Sequence, residues 1–174
     1  TVVAWGRNDS GQTSVPVGLS NVVAIAGGEV HSLALTADKA VVAWGNNGYG
    51  QTMVPVGLTN VLAIAAGSHH SLALTTDGTL SAWGWNGLGQ SIAPAALTDV
   101  IAIAAGGGHS LALTREGAVV AWGWNNDGQS TVPPGLSNVV AIAAGAVHSM
   151  ALTREGTVVA WGWNNDGQST VPPG

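Results

Sequence analysis

Short apolar segments alternate with polar, glycine-rich stretches along the whole chain, and three kinds of segment recur in a fixed order. The first, the Trp segment, is β-branched and aromatic, as in Val-Val-Ala-Trp-Gly at residues 2–6. The second is a continuous apolar run, at residues 22–26, 61–66, 100–105 and 139–144. The third begins with His and alternates Leu with smaller residues, at residues 31–36, 70–75, 109–114 and 148–153. Segments of this length and composition are typical of β-strands.

The connections between these segments predict how the strands are joined. A turn such as Arg115-Glu116-Gly117 indicates a hairpin between the His segment and the next Trp segment. The continuous apolar run predicts a strand that is buried on both faces. Because three antiparallel strands leave the chain pointing away from the next unit, we expect the proline-containing linker at residues 125–138 to return across the unit as an unpaired, extended segment.

Tryptophan marks the period of the repeat. Trp5, Trp44, Trp83, Trp122 and Trp161 are each separated by 39 residues and each is followed by Gly, so the chain contains four units and an 18-residue remainder. Units of this kind pack side by side. We predict an all-β fold, a β-propeller of three-stranded antiparallel blades with four blades per chain. A β-solenoid is the alternative, although its rungs are usually shorter.

The chain is expected to form a single repeat domain over residues 1–174, with approximate blades at residues 22–45, 61–84, 100–123 and 139–162. Residues 1–20 then hold a surplus Trp strand and its loop, because there are five Trp segments but only four of each other kind. Two near-copies that compete for one sheet edge favour strand exchange between chains. We therefore predict a homodimer whose blades close an eight-bladed ring.

The surplus Trp segment also fits a chain that is a fragment of a longer propeller, an engineered protein, or both. Residues 119–135 and 158–174 are identical over 17 positions. Such identity indicates very recent duplication or deliberate copying, and the sequence does not separate the two.

Composition and charge exclude several classes of function. Apolar residues make up 46% of the chain, charged residues only 7%, and there are 26 glycines, which describes buried strands joined by tight turns. A net charge of −5 without any basic run argues against nucleic acid as a partner. Apolar stretches of about seven residues argue against membrane insertion. The absence of cysteine removes disulfides and thiolate chemistry.

The recurring histidines are the first candidates for chemistry. His31, His70, His109 and His148 repeat with the period, and a ring of histidines is one way to bind a metal. Equivalent atoms of different blades normally stand too far apart for that, so we expect no metal and no cofactor, and instead an imidazole that satisfies a backbone group between two blades.

Catalysis finds little support in the sequence. The serine after each histidine is expected to point to the opposite face of its strand, which prevents a nucleophile–base pair. The acidic residues lie mainly in turns and do not form a pair in a shared cleft. We therefore predict that the chain is not an enzyme.

Variable positions concentrate in two loops that the topology brings to one face of the propeller. One loop precedes each histidine, and the other follows each Trp-Gly pair. An exposed Trp or Tyr on such a face is a typical anchor for a partner. The predicted partner-binding residues are Trp85, Trp124, Trp163, Tyr49, Glu29 and His69. The alternative is that these loops pack against one another and contact nothing else.

The repeat also resembles a known family. The pattern Val-x-Ala-Trp-Gly-x-Asn-x-x-Gly-Gln, then Val-Pro, then Val-x-Ala-Ile-Ala-Ala-Gly-x-x-His-Ser-Leu-Ala-Leu is similar to the regulator of chromosome condensation repeat over the entire chain. The short unit also resembles that of the propeller-type β-lactamase inhibitory proteins, which are secreted by bacteria and have seven three-stranded blades. This resemblance implies a binding scaffold without catalytic chemistry that grips a protein with the loops of one face.

That resemblance weakly favours a secreted bacterial protein, and it implies aromatic residues directly before each histidine. This chain has Glu29-Val30, Ser68-His69, Gly107-Gly108 and Ala146-Val147 there, which argues against β-lactamase inhibition. Three functional classes follow from the sequence. The first is a protein-binding propeller, the second a lectin-like or small-ligand module, and the third a scaffold with no ligand of its own.

Overall fold

The computed structural model describes residues 1–173, and they contain four antiparallel sheets of three strands. Blade 1 consists of β1 (Val22–Gly27), β2 (His31–Thr36) and β3 (Val41–Gly45), and blade 2 of β4 (Val61–Ala66), β5 (His70–Thr75) and β6 (Leu80–Gly84). Blade 3 consists of β7 (Val100–Ala105), β8 (His109–Thr114) and β9 (Val119–Gly123), and blade 4 of β10 (Val139–Ala144), β11 (His148–Thr153) and β12 (Val158–Gly162). The predicted four-bladed, all-β architecture is confirmed.

Each blade is a meander of adjacent hairpins. In blade 3, β8 pairs with β7 from Ala105↔Ser110 to Val100↔Thr114 and with β9 from His109↔Gly123 to Leu113↔Val119. The β8–β9 turn closes with hydrogen bonds from Thr114 N to Ala118 O and from Gly117 N to Thr114 O. Gly117 there has φ of +80°, a conformation that glycine adopts without strain.

The second strand of each blade is the most buried, which corrects the expectation for the continuous apolar run. In β5 and β8 the first five residues are buried, whereas the run in β1 alternates between half-buried and exposed. The middle strand has a paired neighbour on each side and another blade against its flanks. The first strands instead lie innermost, and their ends border an open depression lined by Gly67, Gly106 and Gly145.

Neighbouring blades pack through two apolar flanks. The leading flank faces the next blade and is formed in blade 1 by Ala24, Ala26, Leu33, Leu35, Val41 and Ala43. The trailing flank faces the previous blade and is formed in blade 2 by Val61, Ile64, Ala66, Ala73 and Trp83. The same positions meet between blades 2 and 3 and between blades 3 and 4. We call each of these contacts a seam.

A linker, here called the arm, leaves each third strand and covers the next blade. The arm between β3 and β4 buries Gln51 completely, and the carbonyl oxygen of Gln51 accepts hydrogen bonds from Trp83 Nε1 at 2.9 Å and from Ser71 Oγ at 2.8 Å. Gln90 and Gln129 accept the same pair of bonds in blades 3 and 4. The recurring tryptophan of each repeat therefore fastens the arm to the blade that follows it.

Residues 1–6 have the sequence of a third strand but form no strand in this chain. A strand of this kind needs a middle strand as its hydrogen-bonding partner, and among the described residues each middle strand is already paired on both sides within its own blade. Trp5 is 83% exposed, whereas Trp44, Trp83, Trp122 and Trp161 are buried. The arm at residues 7–20 nevertheless covers blade 1, because Gln12 O accepts from Trp44 Nε1 at 2.9 Å.

The recurring histidine lies in the seam, as predicted, but its partner is a side chain of the next blade. His31 Nε2 lies 2.9 Å from Ser71 Oγ, His70 Nε2 lies 3.0 Å from Ser110 Oγ, and His109 Nε2 lies 2.9 Å from Ser149 Oγ. The hydroxyl of each of these serines donates a hydrogen bond to a Gln carbonyl, so its oxygen accepts a hydrogen bond from the Nε2–H of the imidazole. The expected bond to a backbone group is therefore wrong.

Burial holds these imidazoles neutral. It lowers the pKa of His31, His70 and His109 from 6.5 to about 4, and the charge of neighbouring histidines adds to the effect at His31 and His70. All three side chains are fully buried, and each leaves Nδ1 without a hydrogen-bond partner. The neutral Nε2–H tautomer is the form that fits this seam.

We predict that the protein loses stability as the pH falls from 7 to 5. The unfolded chain binds a proton at each seam histidine below pH 6.5, whereas the folded chain binds it only near pH 4. Stability is therefore complete above pH 6.5 and is lost towards pH 4, by up to about 3 kcal/mol for each histidine. Urea unfolding at a series of pH values measures this. His70→Asn should remove about a third of the slope, and equal stability at pH 7 and pH 5 would contradict the assignment.

We also predict that Trp83→Phe destabilises the fold by about 1–3 kcal/mol, because it removes the indole donor to Gln51 and leaves unfilled space in a seam. The measurement is the free energy of unfolding from denaturant titration. Trp5→Phe is the matched control, since its indole is exposed. Equal effects of the two substitutions would show that the arm is not fastened in this way.

Candidate partner-binding face

Two loops of each blade meet on one face, which we call the loop face. In blade 2, the backbone N of Trp85, just after β6, donates to the carbonyl oxygen of His69, just before β5, at 2.8 Å. Trp124 N donates in the same way to Gly108 O, and Trp163 N to Val147 O. The hairpin turns between the second and third strands lie at the opposite end of each blade. The variable positions singled out in the sequence thus lie side by side.

Blade 2 places three aromatic rings together on this face. The ring centroids of Tyr49 and His69 are 5.4 Å apart with an interplanar angle of 88°, those of His69 and Trp85 6.4 Å apart at 75°, and those of Tyr49 and Trp85 6.1 Å apart at 47°. We call these three residues the aromatic cluster. Edge-to-face contacts at this distance are favourable for aromatic pairs. Three of the six predicted partner-binding residues therefore form one group.

The aromatic cluster is held in place by the loop that carries Trp85 and is open to solvent at Tyr49. The backbone carbonyl oxygen of Trp85 accepts a bond from Ser91 Oγ at 2.6 Å, and Asn86 Oδ1 accepts one from the backbone N of Ser91 at 3.0 Å. The indole of Trp85 lies over Gly87, where a Cβ would be 2.8 Å from the ring. Tyr49 is 57% exposed, and His69 and Trp85 are half-buried. The loops therefore hold the rings in place while leaving the Tyr49 side of the cluster accessible.

The other blades differ at the first two of these positions, and blades 3 and 4 keep the Trp at the third. Blade 3 has Leu88, Gly108 and Trp124, blade 4 has Asp127, Val147 and Trp163, and blade 1 has Ser10, Val30 and Asn46. In blade 3 the space above Gly108 is bordered by Leu88 and by the ring of Trp124. Leu88 is thus part of a smaller apolar group that the sequence reasoning missed. The sequence did contain a signal for Leu88, because it occupies the position of Tyr49 in the next repeat.

The remaining predicted residues lie apart from the cluster. Trp124 and Trp163 are half-buried on blades 3 and 4, each with its backbone carbonyl bonded by a serine of its own arm. Glu29 is exposed on blade 1 and borders a groove that also includes Trp5 and Ser32. The structure thus distributes the six residues over all four blades and brings together only those of blade 2.

The charged groups of the loop face belong to blades 1 and 4 and to their arms. The loop face carries the carboxylates of Asp9, Glu29, Asp127 and Asp166 and the cation of Arg7. Arg7 Nε pairs with Asp9 Oδ2 at 2.8 Å, and both side chains are exposed. An exposed pair of this kind contributes little to stability. The loop face is therefore apolar at blades 2 and 3 and carries a net negative charge at blades 1 and 4.

Residues 1–173 contain no group of three or more His, Cys, Asp or Glu side chains arranged to hold a metal ion. In the same part of the chain, no helix has the length and apolar character needed to cross a membrane.

Several solved structures share the fold. Prp20p from Saccharomyces cerevisiae, whose study concerns its binding to Gsp1p and histones, aligns with a TM-score of 0.80 at 24% identity over 92% of this chain and 49% of its own. Yeast RCC1 (Prp20) bound to Kap60 gives 0.74 at 25% identity, over 87% and 45%. The ectodomain of the Physcomitrella patens receptor kinase CR4 gives 0.76 at 29% identity, over 92% and 46%. The chain spans about half the length of these proteins.

Curated proteins give no match to this sequence. The regulator of chromosome condensation (RCC1) repeat, in contrast, matches residues 22–51, 61–90, 100–129 and 139–168. Each match begins with the first strand of a blade and ends in the arm that follows its third strand. Since these matches cover well over half of the residues, the chain belongs to the family of regulator of chromosome condensation (RCC1) repeat proteins.

Proposed function

We propose that this chain is a non-enzymatic propeller scaffold that binds a protein partner through its loop face, with the aromatic cluster of Tyr49, His69 and Trp85 as the anchor. The observation that carries the proposal is the cluster itself: three rings from three separate segments, grouped on the variable face. Residues of these types dominate the energetics of protein interfaces, because they bury much area with few rotatable bonds.

Rigidity of the face supports binding rather than incidental exposure. The arms are fastened by the Asn86, Asn125 and Asn164 side chains and by serine hydroxyls that bond the carbonyls of Trp85, Trp124 and Trp163. Loops held in one conformation lose little entropy when a partner binds. The scaffold below them repeats almost unchanged, so the variation between blades falls on the surface that a partner touches.

The wider footprint includes Trp124, Trp163 and Glu29. Trp124 with Leu88 offers a second apolar contact one blade away, and Glu29 and Asp127 add negative charge at the border. A partner that fits this surface presents an apolar side chain to the cluster and neutral or basic groups around it. A basic side chain also suits the faces of Tyr49 and Trp85 through cation–π contact.

Related structures support the class of function but not the identity of the partner. Prp20p was studied with Gsp1p and histones, and yeast RCC1 was solved with Kap60, so this fold serves protein binding in those cases. Those proteins are about twice as long as the part that this chain matches. Their partners therefore do not transfer, and protein binding by the loop face is the shared element that we propose here.

The test is affinity capture from extracts of the source organism with quantitative mass spectrometry. The wild-type chain is expected to retain a specific protein, and the double variant Tyr49→Ser/Trp85→Ser to retain at least tenfold less of it, because truncating an anchor of this kind costs about 2 kcal/mol or more. The folded state should be unaffected, as judged by circular dichroism, since Tyr49 lies outside the seams.

Val56→Ser is the matched control, because Val56 is a fully exposed apolar residue of the same arm at the opposite end of the blade. It should capture the partner as well as the wild type does. Capture that is unchanged in the double variant, or lost equally in the control, would contradict the assignment of the loop face. Retention of glycans in place of a protein would favour the lectin-like alternative.

A further inference from the structure

The outer flanks of blades 1 and 4 each expose an aliphatic side chain whose equivalents are covered at the internal seams. Among the described residues no blade packs on the leading flank of blade 4 or on the trailing flank of blade 1. Leu152 of blade 4 is 36% exposed, whereas its equivalent Leu113 in blade 3 is fully buried. Ile25 of blade 1 is 66% exposed, whereas its equivalents Ile64 and Ile103 are half-buried in seams.

The outer flanks of blades 1 and 4 carry the same apolar residue types as the flanks that meet in the internal seams. Repeat proteins that end in solvent usually replace the outer apolar residues with polar ones. Blade 4 instead retains Ala141, Ala143, Met150 and Leu152 on its leading flank, and blade 1 retains Ile25, Ala34 and Trp44 on its trailing flank. Only Met150 and Gly27 depart from the residues of the internal seams, where Leu and Ala occupy these positions.

The His–Ser hydrogen bond that crosses each internal seam is missing at the outer flanks. Blade 4 has the histidine of such a pair and blade 1 has the serine. His148 begins β11 and has no serine of a following blade, while Ser32 donates to Gln12 O at 2.8 Å but lacks the imidazole that its three equivalents receive. Ser71, Ser110 and Ser149 are fully buried, whereas Ser32 is half-exposed. His148 and Ser32 are therefore the two separated halves of a fourth His–Ser pair.

The place for the incoming imidazole is present as a groove of about 360 Å³ beside blade 1, bordered by Gln12, Gly28 and Ser32. The equivalent residues of blade 2, Gln51, Gly67 and Ser71, surround His31 in the first seam: Ser71 bonds His31, and a Cβ on Gly28 would strike both the His31 ring and the Gly67 carbonyl. The groove thus offers the Ser32 hydroxyl and the Gln12 carbonyl, the groups that hold the imidazole at an internal seam, and Ala4, Trp5 and Arg7 of the same chain border it as well.

We propose that a second copy of this chain covers both flanks, with blade 4 of each copy packed on blade 1 of the other and His148 of each bonded to Ser32 of the other. This inference is independent of the loop-face proposal. The seam is head-to-tail, and such contacts either close into a ring or extend without limit. Two copies give eight blades, which lies within the usual range of four to eight for a closed propeller, whereas three copies exceed it.

Each contact between blade 4 of one copy and blade 1 of the other, here called a joint, has more than one segment available to serve as its arm and as its outer strand. Residues 163–173 follow β12 and match the arm at residues 7–20, which already covers blade 1. Residues 1–6 likewise match β12. Each joint therefore has two candidates for one arm and for one outer strand, and it needs only one of each. Whichever segment is displaced, the flanks and the His–Ser pair meet in the same way.

Light scattering coupled to size-exclusion chromatography tests the assembly. The wild-type chain is expected at twice its monomer mass across a dilution series. Ile25→Glu places a charge in the joint and is expected to halve that mass. Val23→Glu is the matched control, because Val23 is on the same strand and 64% exposed, but its equivalents in blades 2 to 4 are exposed too and lie outside the seams. It should leave the dimer intact.

Cross-linking tests the direction of the joint. Since the sequence contains no cysteine, His148→Cys and Ser32→Cys introduce single thiols. A short bifunctional thiol reagent should link the two variants to each other when they are mixed, and should give no dimer with His148→Cys alone, because the two copies of that residue lie at separate joints.

A monomer at every concentration would overturn the proposal and leave these flanks to further blades of a longer chain. So would a dimer that survives Ile25→Glu, or a covalent dimer from His148→Cys alone, which would indicate that the ends join in another orientation.

Discussion

The structure depends on the packing of one blade against the next. A three-stranded sheet of this size cannot bury both of its apolar flanks alone, and the first five residues of the middle strand are all buried only in blades 2 and 3, which have a blade on both sides. The seam combines aliphatic packing of Leu33, Leu35 and their equivalents with one polar chain, from imidazole to serine hydroxyl to the carbonyl of the arm. That chain connects three elements at once: two blades and the arm that covers the second of them.

Much of this could be predicted from the sequence, because the repeat shows which residue types each strand needs. The period, the strands and the shared face of the two variable loops follow from patterning and strand direction alone. The partner of the histidine did not follow, since the relation between His31 and Ser71 depends on how far one blade is displaced along its neighbour. Residues 1–6 are a second case in which the local sequence is not sufficient. They have the sequence of a strand but form none, because no other strand pairs with them.

The individual residues of the candidate site could be predicted from the sequence, but their contact with one another could not. Tyr49, His69 and Trp85 were each identified by their variable positions, but they come from the arm before β4, the loop before β5 and the segment after β6. Their contact appears only once the arm of one repeat is known to cover the blade of the next. The same arrangement explains why Leu88, equivalent to Tyr49, lies beside Trp124. A rigid repeated frame thus assigns different surface chemistry to each blade, which suits a binding scaffold.

The most direct measurement of the seam is the protonation state and tautomer of its imidazoles, read from ¹⁵N NMR spectra of labelled histidine at pH 5.5. The structure requires His31, His70 and His109 to be neutral there, with the proton on Nε2 and slow exchange with solvent, because burial lowers the pKa of each to about 4. Imidazolium signals in fast exchange at these three residues would contradict the buried His–Ser seam, and with it the side-by-side packing of the blades.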